Sequence, residues 1–169
     1  MELETKVLSR ELQQRMYDNG LTIGTAESCT GGRVAEAIIA TPGASKYFKG
    51  GVICYSNEVK ENLLGVSAQV LAEKSAVSEE VAIQMVKGAC ETLKTDYTVA
   101  VTGYAGPVAG ENDGVPVGTI WVACGTKDKT LTLKLNEDFG RDINLAIATN
   151  RALRLMLDFL EQEKGAATE

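Results

Sequence analysis

A chain of 169 residues, 44% hydrophobic and 24% charged, carries enough apolar side chain to bury one core without disulfides or structural metals. Its net charge of −6 argues against a general nucleic-acid binder, which needs a basic face. The complete lack of histidine removes Ser-His-Asp and Cys-His catalysis and every histidine-ligated metal site.

Leu3, Val7, Leu8, Leu12 and Met16 recur at helical spacing, and Asn19-Gly20 ends that helix. Charges interrupt the apolar residues near Met1, so the N-terminus reads as neither a signal peptide nor a membrane span. Leu21 to Ala26 is the first predicted strand. It turns straight into a helix from Gly31 to Ala40, which Thr41-Pro42-Gly43 stops. Gly51 to Ser56 reads as a continuous apolar strand, of the kind buried on both faces. Asn57 is the expected N-cap of a short helix through Leu63 and Leu64, and Ser67 caps another. Ser78-Glu79-Glu80 opens a long helix to about Lys94, with two carboxylates at its positive end.

Tyr97 to Thr102 is a further buried strand, followed at once by Gly103-Tyr104-Ala105-Gly106-Pro107 and a glycine-rich loop from Val108 to Pro116. Val117 to Cys124 and Thr130 to Leu135 read as two strands joined by a turn at Gly125 to Lys129. The second alternates Leu131, Leu133 and Leu135 with polar residues, so one face is wet. Arg141 to about Gln162 is a terminal helix, and a polar tail begins near Glu161. Helices between the early strands imply parallel crossovers, while the late pair implies an antiparallel hairpin. The expected fold is a three-layer α/β/α single domain over residues 1–169, with a mixed, mostly parallel sheet of about five strands.

Cys29, Cys54, Cys90 and Cys124 are widely spaced, with no C-x-x-C pair. Three of them sit in apolar or helical contexts and read as reduced thiols, which places the chain in the cytoplasm and argues against zinc.

The three early strands all end in polar clusters. The first gives Glu27-Ser28-Cys29-Thr30-Gly31-Gly32, the second Tyr55-Ser56-Asn57 with Lys60 one turn on, the third Thr102-Gly103. Parallel strands would bring them to one edge of the sheet, where such folds bind and react. Ser28 then has two readings, an N-cap of the following helix or a nucleophile. Without histidine, lysine is the best substitute base. Lys60 would accept the Ser28 proton if burial lowered its pKa; otherwise it is a solvated helix lysine. Tyr55 would relay a proton or orient a carbonyl, or else sit in the core. Backbone N–H groups around Thr30 to Gly32 would hold an oxyanion or a phosphate. Cys29 is a rival nucleophile with nothing to activate it. The P-loop, nucleophile-elbow and dinucleotide fingerprints are absent.

Thr25-Ala-Glu-Ser-Cys-Thr-Gly-Gly32, Tyr55-Ser-Asn-x-x-Lys60 through Leu64-Gly-Val66, Ala76-Val-Ser78, Thr102-Gly-x-Ala-Gly-Pro107 and Pro116-Val-Gly-Thr-Ile-Trp121 together resemble the CinA C-terminal domain family. The resemblance runs from about Leu3 to Leu160. It implies hydrolysis of the carboxamide of nicotinamide mononucleotide to the nicotinate nucleotide and ammonia, with no cofactor or metal. Ser28 matches the nucleophile, and Tyr55 and Lys60 its activating partners. Glu27, Thr30, Gly31, Gly32, Asn57, Thr102, Gly103, Ala105, Gly106 and Arg141 match positions around a small nucleotide ligand. A homodimer or higher homo-oligomer is expected, with no nucleic-acid or membrane partner. Larger members carry a further domain ahead of this one, for which these 169 residues have no room.

Three positions depart from the family pattern. Val108-Ala109-Gly110 replaces an acidic Gly-Gly turn in a loop one residue longer, Tyr104 replaces a small aliphatic residue, and Leu145 stands where a second arginine is expected. These departures leave two alternatives: a non-catalytic ligand-binding or regulatory paralogue, or an amidase with another small substrate.

Overall fold

The computed structural model describes residues 1–110 and 113–168. Helix α1 (Leu3–Asp18) leads into β1 (Ile23–Glu27), α2 (Arg33–Ile39), β2 (Phe48–Ile53), α3 (Asn57–Leu64), α4 (Ala68–Lys74) and α5 (Glu79–Leu93). Then come β3 (Tyr97–Gly103), β4 (Ile120–Gly125), β5 (Thr130–Leu135) and α6 (Arg141–Ala167). The strands form one sheet in the order β2-β1-β3-β4-β5. β1 pairs in parallel with β2 and β3, and the β3–β4 and β4–β5 pairs are antiparallel. The pairs therefore divide equally, while four of the five strands run in one direction.

The period-2 geometry of the strands splits the core in two. Ala26, Ala100 and Ala123 are paired across β1, β3 and β4 and face one side. This row of small residues admits α5 closely, with Val81, Met85, Val86 and Ala89 buried over it. Gly88 brings α5 against the end of α3, since a Cβ there would run into the Leu64 carbonyl. The other side carries Ile23, Val99, Val101, Val122 and Cys124 under α1, α2 and α6. Helices on both faces give the three-layer arrangement.

Several expectations need correction. The second strand is an edge strand of alternately half-buried and exposed residues, so it is not buried on both faces. It spans Phe48–Ile53, and Cys54-Tyr55-Ser56 has left the sheet. Ser56, not Asn57, caps α3, its Oγ accepting from the Val59 N–H at 3.2 Å. β4 starts three residues late because Gly118, at φ +92°, interrupts the extended chain and donates its N–H to the Tyr104 carbonyl at 2.8 Å. The polar tail continues α6 to Ala167. Its alanines are strong helix formers, and Arg15 ties Glu161 at 2.7 Å. No helix among the described residues is long and apolar enough to cross a membrane.

Candidate active site

The β1–α2 turn is held from inside. Glu27 is 1% exposed, and its carboxylate accepts from Thr30 Oγ1 at 2.7 Å and from the N–H groups of Val34 and Ala35 at 2.8 and 3.0 Å. The Arg33 N–H donates to the Thr30 carbonyl, and the Glu36 N–H to Gly32. The donors of Arg33, Val34 and Ala35 are thus occupied by protein, and a carboxylate already sits at the positive helix end. Glu27, Thr30, Gly31 and Gly32 do not line the cavity described below. Expected as ligand contacts, they build the turn instead. Gly31 and Gly32 take φ +58° and +105°, a left-handed path that favours glycine. Gly32, not Ser28, is the N-cap residue of α2. The hydroxyl of Ser28 is therefore free of capping duty, while its N–H extends the sheet to the Val101 carbonyl at 2.9 Å.

Across the turn stands Lys60. Cys54, just past β2, donates its N–H to the Glu27 carbonyl at 2.8 Å and so pins the start of the segment entering α3. One turn into α3, Lys60 points back into the protein and is 1% exposed. Its Nζ donates to the Cys54 carbonyl at 2.8 Å and lies 3.1 Å from Ser28 Oγ. Among the described residues, no carboxylate lies within ion-pair distance of it. Burial without a counter-charge pushes the amine below the ordinary lysine range. A lysine read from sequence as either a base or a solvated side chain is buried against the serine.

These groups open onto a cavity of about 640 Å³, within the range of small-molecule sites. Ser28, Tyr55, Asn57 and Lys60 line it from β1, the segment after β2, and α3. Thr102, Gly103, Ala105 and Gly106 line it from the end of β3, and Arg141 from the start of α6. The three strand-end clusters thus meet as expected. Tyr55 is the member least engaged: it is 64% exposed, neither in the core nor hydrogen-bonded to Ser28 or Lys60. Cys29 also lines the cavity, but burial pushes its thiol up to about 12, outweighing the nearby Arg141 and Lys60 charges. A thiol so protonated is a poor nucleophile.

The sequence reading missed several supports. Asn144, 3% exposed, donates to the Ala105 carbonyl at 3.0 Å and to Asp138 at 2.9 Å. Arg141 Nη1 donates to the Gly106 carbonyl at 2.7 Å, so the start of α6 fixes the loop after β3. An asparagine in register with Ala148 and Ala152 on the buried stripe of α6 was the available signal. Lys74, Ser75 and Asp113 also line the cavity. Leu145 is 1% exposed in the core, outside the cavity lining, so the missing arginine leaves no gap in this site.

The CinA C-terminal domain model matches residues 5–160. The chain is 39% identical over 153 residues to protein YdeJ of Escherichia coli, covering 90% of this chain and 88% of that one. It is 43% identical over 123 residues to the nicotinamide-nucleotide amidohydrolase PncC of E. coli, covering 73% and 74%. A CinA-like protein of Kosmotoga olearia is 44% identical over 143 residues, but these span only 34% of its length. Among solved structures, a CinA superfamily protein from E. coli superposes with a TM-score of 0.87 at 38% identity, covering 90% and 88%. A competence damage-inducible protein A from Klebsiella pneumoniae gives 0.89 at 36%, covering 93% and 97%. With the family model matched over residues 5–160 and the same fold in solved relatives, this protein belongs to the CinA C-terminal domain family.

Proposed function

We propose that this protein hydrolyses the carboxamide of nicotinamide mononucleotide, releasing ammonia and the nicotinate nucleotide. The observation that carries the reading is the buried Lys60 Nζ 3.1 Å from Ser28 Oγ, with no counter-charge among the described residues. The 43% identity to an amidohydrolase named for nicotinamide nucleotides supports the substrate class.

Neutral Lys60 takes the Ser28 proton as Oγ attacks the carboxamide carbon. The backbone N–H of Cys29, the residue after Ser28 on the cavity lining, supplies a donor for the oxyanion. As the tetrahedral intermediate collapses, the Lys60 ammonium returns its proton to the leaving nitrogen, and ammonia departs. Water, deprotonated by Lys60, then attacks the ester on Ser28; Lys60 passes that proton to the departing Ser28 Oγ, and the carboxylate is released. No step uses a metal. Arg141 and Lys74 give the cavity cationic side chains suited to the phosphate of a nucleotide. Tyr55, at the rim, contacts substrate as it enters.

The test is ammonia release from nicotinamide mononucleotide by the wild type and by Ser28→Ala. The wild type turns over, and the variant binds the nucleotide without releasing ammonia. A stable Ser28→Ala enzyme with near-normal turnover would overturn the serine mechanism. Tyr104 and the altered loop favour a second reading, an amidase for another small amide. That reading gains if the wild type ignores the mononucleotide but hydrolyses other aromatic carboxamides with the same dependence on Ser28.

A further inference from the structure

Two departures from the family pattern meet in space. Tyr104, where a small aliphatic residue is usual, donates its hydroxyl to Asp113, at the far side of the altered loop. The same Asp113 oxygen accepts from Ser75 Oγ at 2.8 Å, and its other oxygen accepts from the Val115 N–H at 3.0 Å. Ser75 belongs to the α4–α5 turn, so one carboxylate joins the end of β3, the glycine-rich loop and that turn. All three residues line the cavity that holds Ser28 and Lys60.

Two further positions fit this arrangement. Gly110 lies over the Tyr104 hydroxyl so closely that a Cβ would run into it. A side chain at position 110 would have to push the Tyr104 hydroxyl aside. Ser75 adopts φ +74°, ψ 155°, a conformation that favours glycine. Besides Asp113, its hydroxyl engages the Val77 N–H at 3.1 Å, and its carbonyl accepts from Ser78 Oγ at 2.9 Å. The protonation states agree with this donor pattern. Burial raises the Tyr104 hydroxyl, and Asp113 raises it further, so it stays a donor. Burial alone would raise the Asp113 carboxyl, but its hydrogen bonds from Tyr104, Val115 and Ser75 hold it below the usual carboxylate range.

We propose that Asp113, with Tyr104 and Ser75, is a latch that holds the glycine-rich loop against the α4–α5 turn and thereby sets the substrate-binding wall of the cavity. Asp113 is a positioning residue: it acts on the wall, while Ser28 and Lys60 act on the reacting carbon. The substrate side of this inference rests on the proposed amidohydrolase reading. The latch itself does not.

The experiment compares wild type, Asp113→Ala, Tyr104→Phe and the double variant. Steady-state ammonia release from nicotinamide mononucleotide gives kcat and KM. Amide hydrogen exchange at Val77 and Val115 reads the latch without any substrate. Val77 lies across the latch from Tyr104 and makes no bond to it, so its exchange rises in Tyr104→Phe only if the tie holds both sides together. The expected result is a KM raised about tenfold in each single variant, with kcat within about threefold of wild type. Val77 exchange rises at least fivefold, and the double variant is little worse than Asp113→Ala, because the residues act as one unit. Unchanged Val77 exchange in both single variants overturns the latch. A loss confined to kcat overturns its role in binding. If the wild type releases no ammonia, the proposed activity fails, and the latch is still decided by the exchange of Val77.

Discussion

Replacing Lys60 by methionine separates catalysis from stability. Methionine keeps the length of the stem and removes the amine. On the fold side, two effects oppose each other. The Cys54 carbonyl loses its donor, a loss of about 1–3 kcal/mol. Against that, a buried amine with only neutral partners is removed, and its desolvation goes with it. The net change should stay within about 2 kcal/mol, small against the roughly 5–15 kcal/mol of an ordinary domain. On the catalytic side, loss of a general base lowers the rate roughly 10²–10⁴-fold, about 3–5 kcal/mol of activation free energy.

The pH dependence supplies a second axis. The folded pKa of Lys60 lies below its unfolded value of about 10.4. Between the two, the unfolded chain holds the proton and the folded chain does not, so stability rises with pH through that window. Wild-type kcat/KM rises with pH through the same lowered folded value, because only the neutral amine accepts the serine proton. The assay is ammonia release and urea unfolding, each at several pH values, for wild type, Lys60→Met and Lys60→Arg. Lys60→Met should lose the rate and flatten the stability increment. Lys60→Arg should not rescue, since a guanidinium stays protonated. Near-normal turnover in Lys60→Arg would refute the dyad and leave Lys60 a role in binding only.

Other outcomes follow from the same geometry. Glu27→Ala strips three donors, two of them buried, of their acceptor and should destabilise the fold by about 3 kcal/mol or more, read by urea unfolding; a change below about 1 kcal/mol would mean the turn holds itself. Gly88→Ala forces α5 away from the Leu64 carbonyl and should cost about 1–3 kcal/mol. Because α3 carries Lys60, its kcat should fall as well, and an unchanged kcat would show that α3 adjusts without moving the amine. Cys29→Ser should keep turnover within about tenfold of wild type, since a thiol held up to about 12 is protonated at neutral pH. Abolished activity in a folded Cys29→Ser protein would reopen the thiol as nucleophile.

Period and punctuation made most elements legible in the sequence. The apolar spacing of α1, the Ser67 and Ser78 caps and the alternation of β5 are local signals, and each marks the element found. The strand-end clusters at Ser28, Tyr55 and Thr102 were legible too, because parallel crossovers place successive strand ends on one sheet edge. What tertiary structure decided was which polar groups face inward and toward whom. Sequence places Ser28, the candidate nucleophile, beside Glu27, a candidate ligand contact, but adjacent residues at a strand end point to opposite faces. Glu27 goes under α2 to satisfy its N–H groups, and Ser28 goes to the cavity. Likewise nothing local distinguishes Lys60 from a solvated helix lysine. Its burial follows from α3 docking beneath Gly88 and from a carbonyl at Cys54 that receives its amine. Asn144 and Asp113 act over long sequence separations, on Ala105 and on Ser75, and such pairings exist only once the chain has closed on itself. Local sequence fixes propensity and pattern over a few residues; the environment that sets a pKa or selects a partner comes from distant chain segments brought together by the fold.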